Sequence, residues 1–268
     1  ILQKSVETAA DIIKKADNDG DILVFVNHKG EGNDGCQMLD QLLKNTNKNK
    51  INPYCGILAS GVSKEDEKYA TDVNTYKTLK NSGGKDYTIK VIFATNVAES
   101  SLTVEGVKYV IDNGFELLES YEPNKMMQQL NRSRISNAQR KQRRGRGGRT
   151  APGVCYYMYT KKECDELREY PLPAIKKSDL SSDVLRFFSL GNVNTIKELL
   201  SLLNSLIEPP DMDFVNSALK ILMALDIIEV KDNKNGELTE LGKKVSKFGS
   251  GMSPMAAISL FYGYENYV

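Results

Sequence analysis

The sequence predicts an α/β protein: a parallel-sheet domain followed by a mostly helical region. Three observations carry this. Apolar runs at Asp21–Val26, Tyr87–Ala94 and Val107–Asp112 are continuous rather than alternating, as in strands buried on both faces. Each ends in a polar loop, and amphipathic segments fall between them, the alternation that builds parallel sheets. Beyond Thr160 the strand signals give way to helical patterns separated by prolines.

The elements follow in order. Ser5–Ala16 places Val6, Ala9, Ala10 and Ile13 on one helical face. Asp21–Val26 follows Asn-Asp-Gly as the first strand. Asn27–Gly35 (NHKGEGNDG) reads as a loop at its carboxyl end, where open α/β sheets place ligands, and Cys36–Lys44 as the returning helix. Ile51–Ser60 is a second strand with its loop, Lys64–Lys80 a helix, and Asn81–Gly84 a turn. Tyr87–Ala94 is the third strand, Thr95–Leu102 a polar loop, and Val107–Asp112 the fourth strand. Tyr121–Leu130 reads as a small hairpin or an irregular excursion, with Met126 and Met127 as packing residues. A basic helix and a strand around Tyr156 close the first domain near Thr160.

Lys161–Lys177, with Pro171 and Pro173, is a connector. Helices are expected over Ser178–Leu190, Thr195–Leu206 and Asp213–Leu225, the last strongly amphipathic. Ile227–Val230 and Leu238–Thr239 flank a turn at Asn233–Gly236, and Leu241–Phe248 is helical again. Helices followed by a small hairpin are the layout of a winged helix. Pro254–Tyr264 opens a further helix.

The 268 residues allow one large domain or two to three small ones. At 40% hydrophobic and 26% charged the composition is that of an ordinary globular protein. No apolar run reaches the ~20 residues that span a bilayer. The chain begins at Ile1 rather than Met and is expected to be an internal piece of a longer, intracellular protein. Cys36, Cys55, Cys155 and Cys164 lack C-x-x-C spacing, and His28 is the single histidine. A zinc site and a histidine-dependent triad are therefore not supported, no metal ligands are assigned, and free thiols are expected.

Net charge is +1, so the protein is no polycation. Its basic charge is local: Arg132, Arg134, Arg140, Lys141, Arg143, Arg144, Arg146 and Arg149 crowd one segment. Within it, Gln142–Arg149 reads Q-R-R-G-R-G-G-R, with arginines at 143, 146 and 149. On a helix that spacing puts three guanidinium forks on one face, matched to phosphate oxygens. Arg/Gly runs also occur as disordered RNA-binding tails. This one lies mid-chain between two strand candidates, which favours a folded, phosphate-facing segment.

Ala94–Gly106 (ATNVAESSLTVEG) followed by Val110-Ile-Asp-Asn-Gly-Phe115 resembles motif V of superfamily 2 helicases of the DEAH-box (DEAH/RHA) family. Ile135-Ser-Asn-Ala138 with the arginine run resembles motif VI, and Pro152–Cys155 with Tyr159-Thr160 resembles its continuation. Ser178–Ser182, Glu208–Asp211, Ala218-Leu219 and Leu238–Gly242 are similar to that family's winged-helix segment.

The resemblance implies a second RecA-like domain over 1–160, a linker over 161–178, a winged helix over 179–250 and the start of a helical bundle over 251–268. It implies that Gln142, Arg146 and Arg149 face the γ-phosphate of ATP, the two arginines as fingers, and that Arg143, Thr103 and Glu105 lie near the nucleotide. It places Thr95, Asn96 and Ser60 on the backbone of single-stranded RNA. It further implies Mg²⁺ held by a first RecA-like lobe outside this sequence, 3′-to-5′ translocation, a monomer, and a glycine-rich-motif activator protein as a possible partner. Gly83-Gly84-Lys85-Asp86 lacks the Ser/Thr of a phosphate-binding loop and D-E-x-H is absent, so the chain alone is expected to be inactive.

Departures mark a divergent member: Glu105 replaces Asp, Arg140 a small residue and Gly147 Ala; Tyr69 stands near an expected adenine-stacking Phe but reads better as a helix-face aromatic. Two other readings remain. One is a degenerate helicase that binds RNA or protein without turnover. The other is a winged-helix DNA regulator, which is disfavoured because Asp213–Leu225 carries Lys220 as its one base.

Overall fold

The computed structural model describes residues 1–15, 20–44, 52–148, 152–191, 193–230, 236–248 and 252–267. The chain forms two compact units. The first is 1–118 with 132–171; the second is 119–131 with 172–268.

The first unit opens with helix α1 (Leu2–Lys15), strand β1 (Asp21–Phe25) and helix α2 (Lys29–Lys44). It continues with β2 (Pro53–Leu58), α3 (Lys64–Thr71), β3 (Ile89–Ala94), the short α4 (Val97–Ser100) and β4 (Val107–Asp112). The strands of a hairpin follow, β5 (Phe115–Glu122) and β6 (Met127–Arg134), with the hairpin's base in this unit. Then come α5 (Asn137–Arg144), β7 (Val154–Tyr157) and α6 (Lys161–Asp165). Five strands make one parallel sheet in the order β2-β3-β1-β4-β7, the parallel α/β sheet that the apolar runs predicted.

Burial on both faces explains the continuous apolar runs. Alternate residues of β1 divide between two cores. Ile22 and Val24 pack with α1, α2, Val91 and Phe93, whereas Leu23 and Phe25 pack with Leu58, Ile92, Ala98 and Val110. All five residues of β1 and all six of β3 are buried.

Four sequence expectations are corrected here. The Gly-rich stretch 29–35 is the first two turns of α2, not a loop. Its glycines serve approach rather than turning: a Cβ at Gly35 would lie 2.5 Å from the Phe93 ring, so a bare helix face lets α2 settle on the sheet. Glu31 reaches back to Asn27, accepting from its backbone N at 2.8 Å and from its side-chain amide at 2.9 Å, which leaves a loop of Asn27 and His28 alone.

The helix expected over Lys64–Lys80 stops at Thr71. Asp72 ends it, because its carboxylate accepts from Asn74 N and Thr75 N, each at 2.7 Å, and turns the chain into a 3₁₀ segment at Thr75–Thr78. Cys36 and Cys55 are not free thiols but a disulfide joining α2 to β2, while Cys155 and Cys164 are free. Finally, the arginine helix α5 ends at Arg144, with Gly145 as its cap. Arg146 therefore lies in the following turn and does not share a helical face with Arg143, while Arg149 lies outside the described residues.

The second unit packs α7 (Ser181–Ser189), α8 (Ile196–Asn204) and α9 (Met212–Ala224) around Val184, Phe188, Leu199, Ala218 and Leu222. β8 (Ile228–Val230) and β9 (Gly236–Leu238) pair antiparallel as a wing, followed by α10 (Glu240–Val245) and α11 (Pro254–Tyr267). The expected turn at Asn233–Gly236 lies mostly outside the described residues. The hairpin tip belongs to this unit, where Tyr121 Oη and Ser217 Oγ are 2.7 Å apart. Met126 closes its turn and Met127 opens β6; both are about half exposed (47% and 51%), so they are not core. No described helix is long and apolar enough to cross a membrane.

Candidate nucleotide and nucleic-acid site

Thr95 and Asn96 leave the carboxyl end of β3, next to Ser60 beyond the end of β2. Thr95 N donates to Leu58 O at 3.0 Å, continuing the ladder by one residue before the two strands part. Ser60 and Asn96 are exposed and Thr95 is half-buried. Two hydroxyls and an amide at adjacent strand ends are groups that grip a phosphate backbone without reading bases.

The chain then runs through α4 back to the amino edge of the sheet. Thr103 and Glu105 on this return are exposed. Glu105 is held by its backbone: its N donates to Thr71 O at 2.8 Å, and its O accepts from Lys90 Nζ at 3.2 Å. Lys90 is fully buried, with Nζ also donating to Asp72 O at 2.9 Å and lying 3.7 Å from Asp21 Oδ2. Burial pushes the Lys90 ammonium down and the Asp21 carboxyl up, and the mutual attraction of the pair opposes both.

α5 starts with a reciprocal cap between Ser136 and Gln139, and Gln139 Nε2 donates to Glu116 at 2.8 Å. Gln142 projects from this helix into solvent. Arg143, expected near the nucleotide, instead turns into the protein. Its side chain is 1% exposed, with Nε donating to Glu99 at 3.0 Å and one terminal nitrogen to Asp112 at 2.9 Å. The same nitrogen reaches Asn113 Oδ1 at 3.2 Å and Phe115 O at 3.1 Å, and the guanidinium lies 4.6 Å from the centre of the Phe25 ring.

Arg146 is also largely buried. Its guanidinium donates to Leu102 O at 3.0 Å and to Glu99 O. Glu99 therefore serves both arginines, Arg143 through its carboxylate and Arg146 through its carbonyl. Burial raises the Glu99 carboxyl above its ordinary range, and Arg143 pulls the other way. Arg149 lies outside the described residues.

The groups the sequence reading missed are the partners: Glu99, Asp112, Asn113, Lys90 and Asp21. A signal existed for Asp112, a carboxylate ending an apolar strand, which folds to 0% exposure and accepts from Tyr159 Oη at 2.9 Å. Burial, and then the Asp112 carboxylate beside it, push the Tyr159 phenol up. Among the described residues no group of three acidic, His or Cys side chains could hold a metal ion.

The model of the helicase conserved C-terminal domain matches residues 4–151, more than half of the chain, and that of the winged-helix helicase-associated domain (HA2) matches residues 218–249. The chain belongs to the DEAH/RHA helicases of superfamily 2.

Among its helicase relatives, the putative ATP-dependent RNA helicase L540 of Acanthamoeba polyphaga mimivirus is 37% identical over 212 residues, which cover 79% of this chain and 29% of the relative. The probable ATP-dependent RNA helicase DHX35 homolog of Caenorhabditis elegans is 32% identical over 92% of this chain and 31% of its own length. The Schizosaccharomyces pombe pre-mRNA-splicing factor ATP-dependent RNA helicase prp22 is 33% identical over 88% of this chain and 19% of its own length. The chain thus spans less than a third of these helicases. The crystal structure of the E. coli DExH-box NTPase HrpB superposes with a TM-score of 0.71 at 25% identity, covering 96% of this chain and 28% of that one.

Proposed function

We propose that this chain is the C-terminal half of an ATP-dependent RNA motor, which couples ATP hydrolysis to 3′-to-5′ movement along single-stranded RNA. The observation that supports it best is the fastening of the motif VI turn to the motif V segment. Arg146 is tied to Glu99 O and Leu102 O, within a stretch that carries Thr95 and Asn96 before α4 and Thr103 and Glu105 after it. A shift at one end of so short a segment is felt at the other.

In this reading Ser60, Thr95 and Asn96 hold the RNA backbone. Thr103 and Glu105 offer a hydroxyl and a carboxylate to ATP. Gln142 orients the attacking water, and Arg146 and Arg149 neutralise charge on the γ-phosphate. Bound ATP supplies the phosphoanhydride bond. The ligands of Mg²⁺ are assigned to the first RecA-like lobe that the family resemblance places outside this sequence. Arg143 positions Glu99 and the end of β4 and touches no substrate. A glycine-rich activator protein and a monomeric, intracellular state complete the proposal.

A second reading has its own observation. Arg146 spends its fork on backbone carbonyls, as a binding module without turnover would leave it. RNA-stimulated ATP hydrolysis by the full-length protein separates the two, wild type against Arg149→Ala. Loss of a working finger lowers turnover by roughly 10³-fold or more with folding retained. A wild-type protein that binds RNA and hydrolyses no ATP establishes the second reading. Magnesium-dependent turnover by the 268-residue chain alone would contradict the missing-lobe assignment.

A further inference from the structure

Outside the groups assigned above, the base of the β5–β6 hairpin carries an unusual stack. Arg132 and Arg134 stand two apart on β6, so their side chains leave the strand on the same face. Both cover one ring: the guanidinium carbons lie 4.0 Å and 4.3 Å from the centre of Phe115 on β5. The arginines are exposed and the ring is half-buried.

The two arginines differ in their edges. Arg134 donates to Glu163, which neutralises it. No described carboxylate lies within ion-pair distance of Arg132, and its stacking on Phe115 is its one recorded interaction. Stacking uses the face of a guanidinium and leaves its in-plane N–H donors free. The ring holds that fork in one plane, so the entropy of ordering a long arginine has been largely met before any ligand arrives. Planar, charged and pre-oriented N–H pairs match the two unesterified oxygens of a phosphodiester. Phe115 follows Gly114 directly after β4, so the stack stands beside the carboxyl end of a central strand, the edge that also carries Ser60, Thr95 and Asn96.

We propose that Arg132, held on Phe115 and flanked by Arg134, is a further phosphate grip for single-stranded RNA. The inference rests on the RNA-motor reading, which supplies the strand. A stack kept only for packing requires neither an unpaired charge nor a free donor edge, and Arg132 retains both.

The test is binding of a fluorescent uridine oligonucleotide to the full-length protein across a salt series, for wild type, Arg132→Gln, Arg132→Lys and Thr95→Ala. Each phosphate contact on a single strand contributes about 0.7 to the slope of log affinity against log salt. Arg132→Gln is expected to lower that slope by about 0.7 and to weaken binding about tenfold at low salt. Arg132→Lys should restore the slope while recovering only part of the affinity, because an ammonium is not a fork. Weakening by Thr95→Ala, with an unchanged slope and affinity in Arg132→Gln, overturns this inference and leaves the RNA-motor reading standing. A wild-type protein that does not bind the oligonucleotide overturns both.

Discussion

Replacing Arg143 with Met asks what the buried guanidinium of the first unit does. The substitution keeps an unbranched apolar side chain but removes every donor. Two carboxylates then remain in the core without their cation: Glu99, with 7% of its side chain exposed, and Asp112, with none. Breaking a buried ion pair costs about 3–5 kcal/mol, because the partner is left charged and desolvated. Against a total stability of about 5–15 kcal/mol that is a large fraction, and it corresponds to a fall in Tm of roughly 10 °C.

The sign of the pH dependence follows from Glu99. Its folded pKa is already raised by burial, and loss of Arg143 raises it further. A carboxyl whose folded pKa exceeds its unfolded value destabilises the fold above that unfolded value and is relieved as the proton returns. The deficit of Arg143→Met should therefore shrink as pH falls from 8 toward 5, and Arg143→Met with Glu99→Gln should be more stable than Arg143→Met alone. Thermal unfolding followed by circular dichroism at several pH values measures both effects. An Arg143→Met protein that melts like wild type yet loses nucleotide affinity would refute the positioning role and return Arg143 to the nucleotide.

Three further outcomes follow from local geometry. Gly114 has φ +75°, and a Cβ there would lie 2.5 Å from the Tyr159 ring, so Gly114→Ala should cost about 1–2 kcal/mol in chemical denaturation, and an unchanged midpoint would contradict it. The Cys36–Cys55 bridge closes a loop with a sequence separation of 19, so Cys55→Ser should lower stability by about 3 kcal/mol, and a reductant should bring wild type down to the variant. Glu163 is held down to about 2 by the backbone N–H of Thr160, with help from Arg134. A depressed carboxylate contributes stability above its unfolded pKa and loses it as pH falls through the folded one. The α6 cap and the Arg134 contact should therefore be lost between about pH 4.5 and 2, and an NMR titration of Glu163 with a midpoint near 4.5 would show that they do not hold it.

The sheet was legible because strands buried on both faces leave mostly apolar, non-alternating runs, as β1 and β3 do. What escaped depended on distance rather than pattern. Glycines at 32 and 35 read as loop, yet they are the bare face of α2 against β3. The end of α3 turned on one Asp72 carboxylate choosing backbone amides at the next turn. The Cys36–Cys55 pairing requires knowing that α2 lies on β2, which spacing does not say. In the arginine run, spacing found the residues but could not tell an inward guanidinium from an outward one. That choice was settled by carboxylates at Glu99 and Asp112, remote in sequence.

Two of the bonds that dock Arg146 go to main chain rather than to side chains. Leu102 O and Glu99 O are peptide oxygens, which every amino acid supplies alike. Substitutions at 99 and 102 can therefore drift without removing these two bonds, provided the path of the chain through α4 is kept. Arg143 has no such insurance, because its carboxylate acceptors are single residues. Neighbouring positions of one motif are thus exposed to mutation unequally: one is guarded by backbone geometry, and the other by the identity of two distant acids.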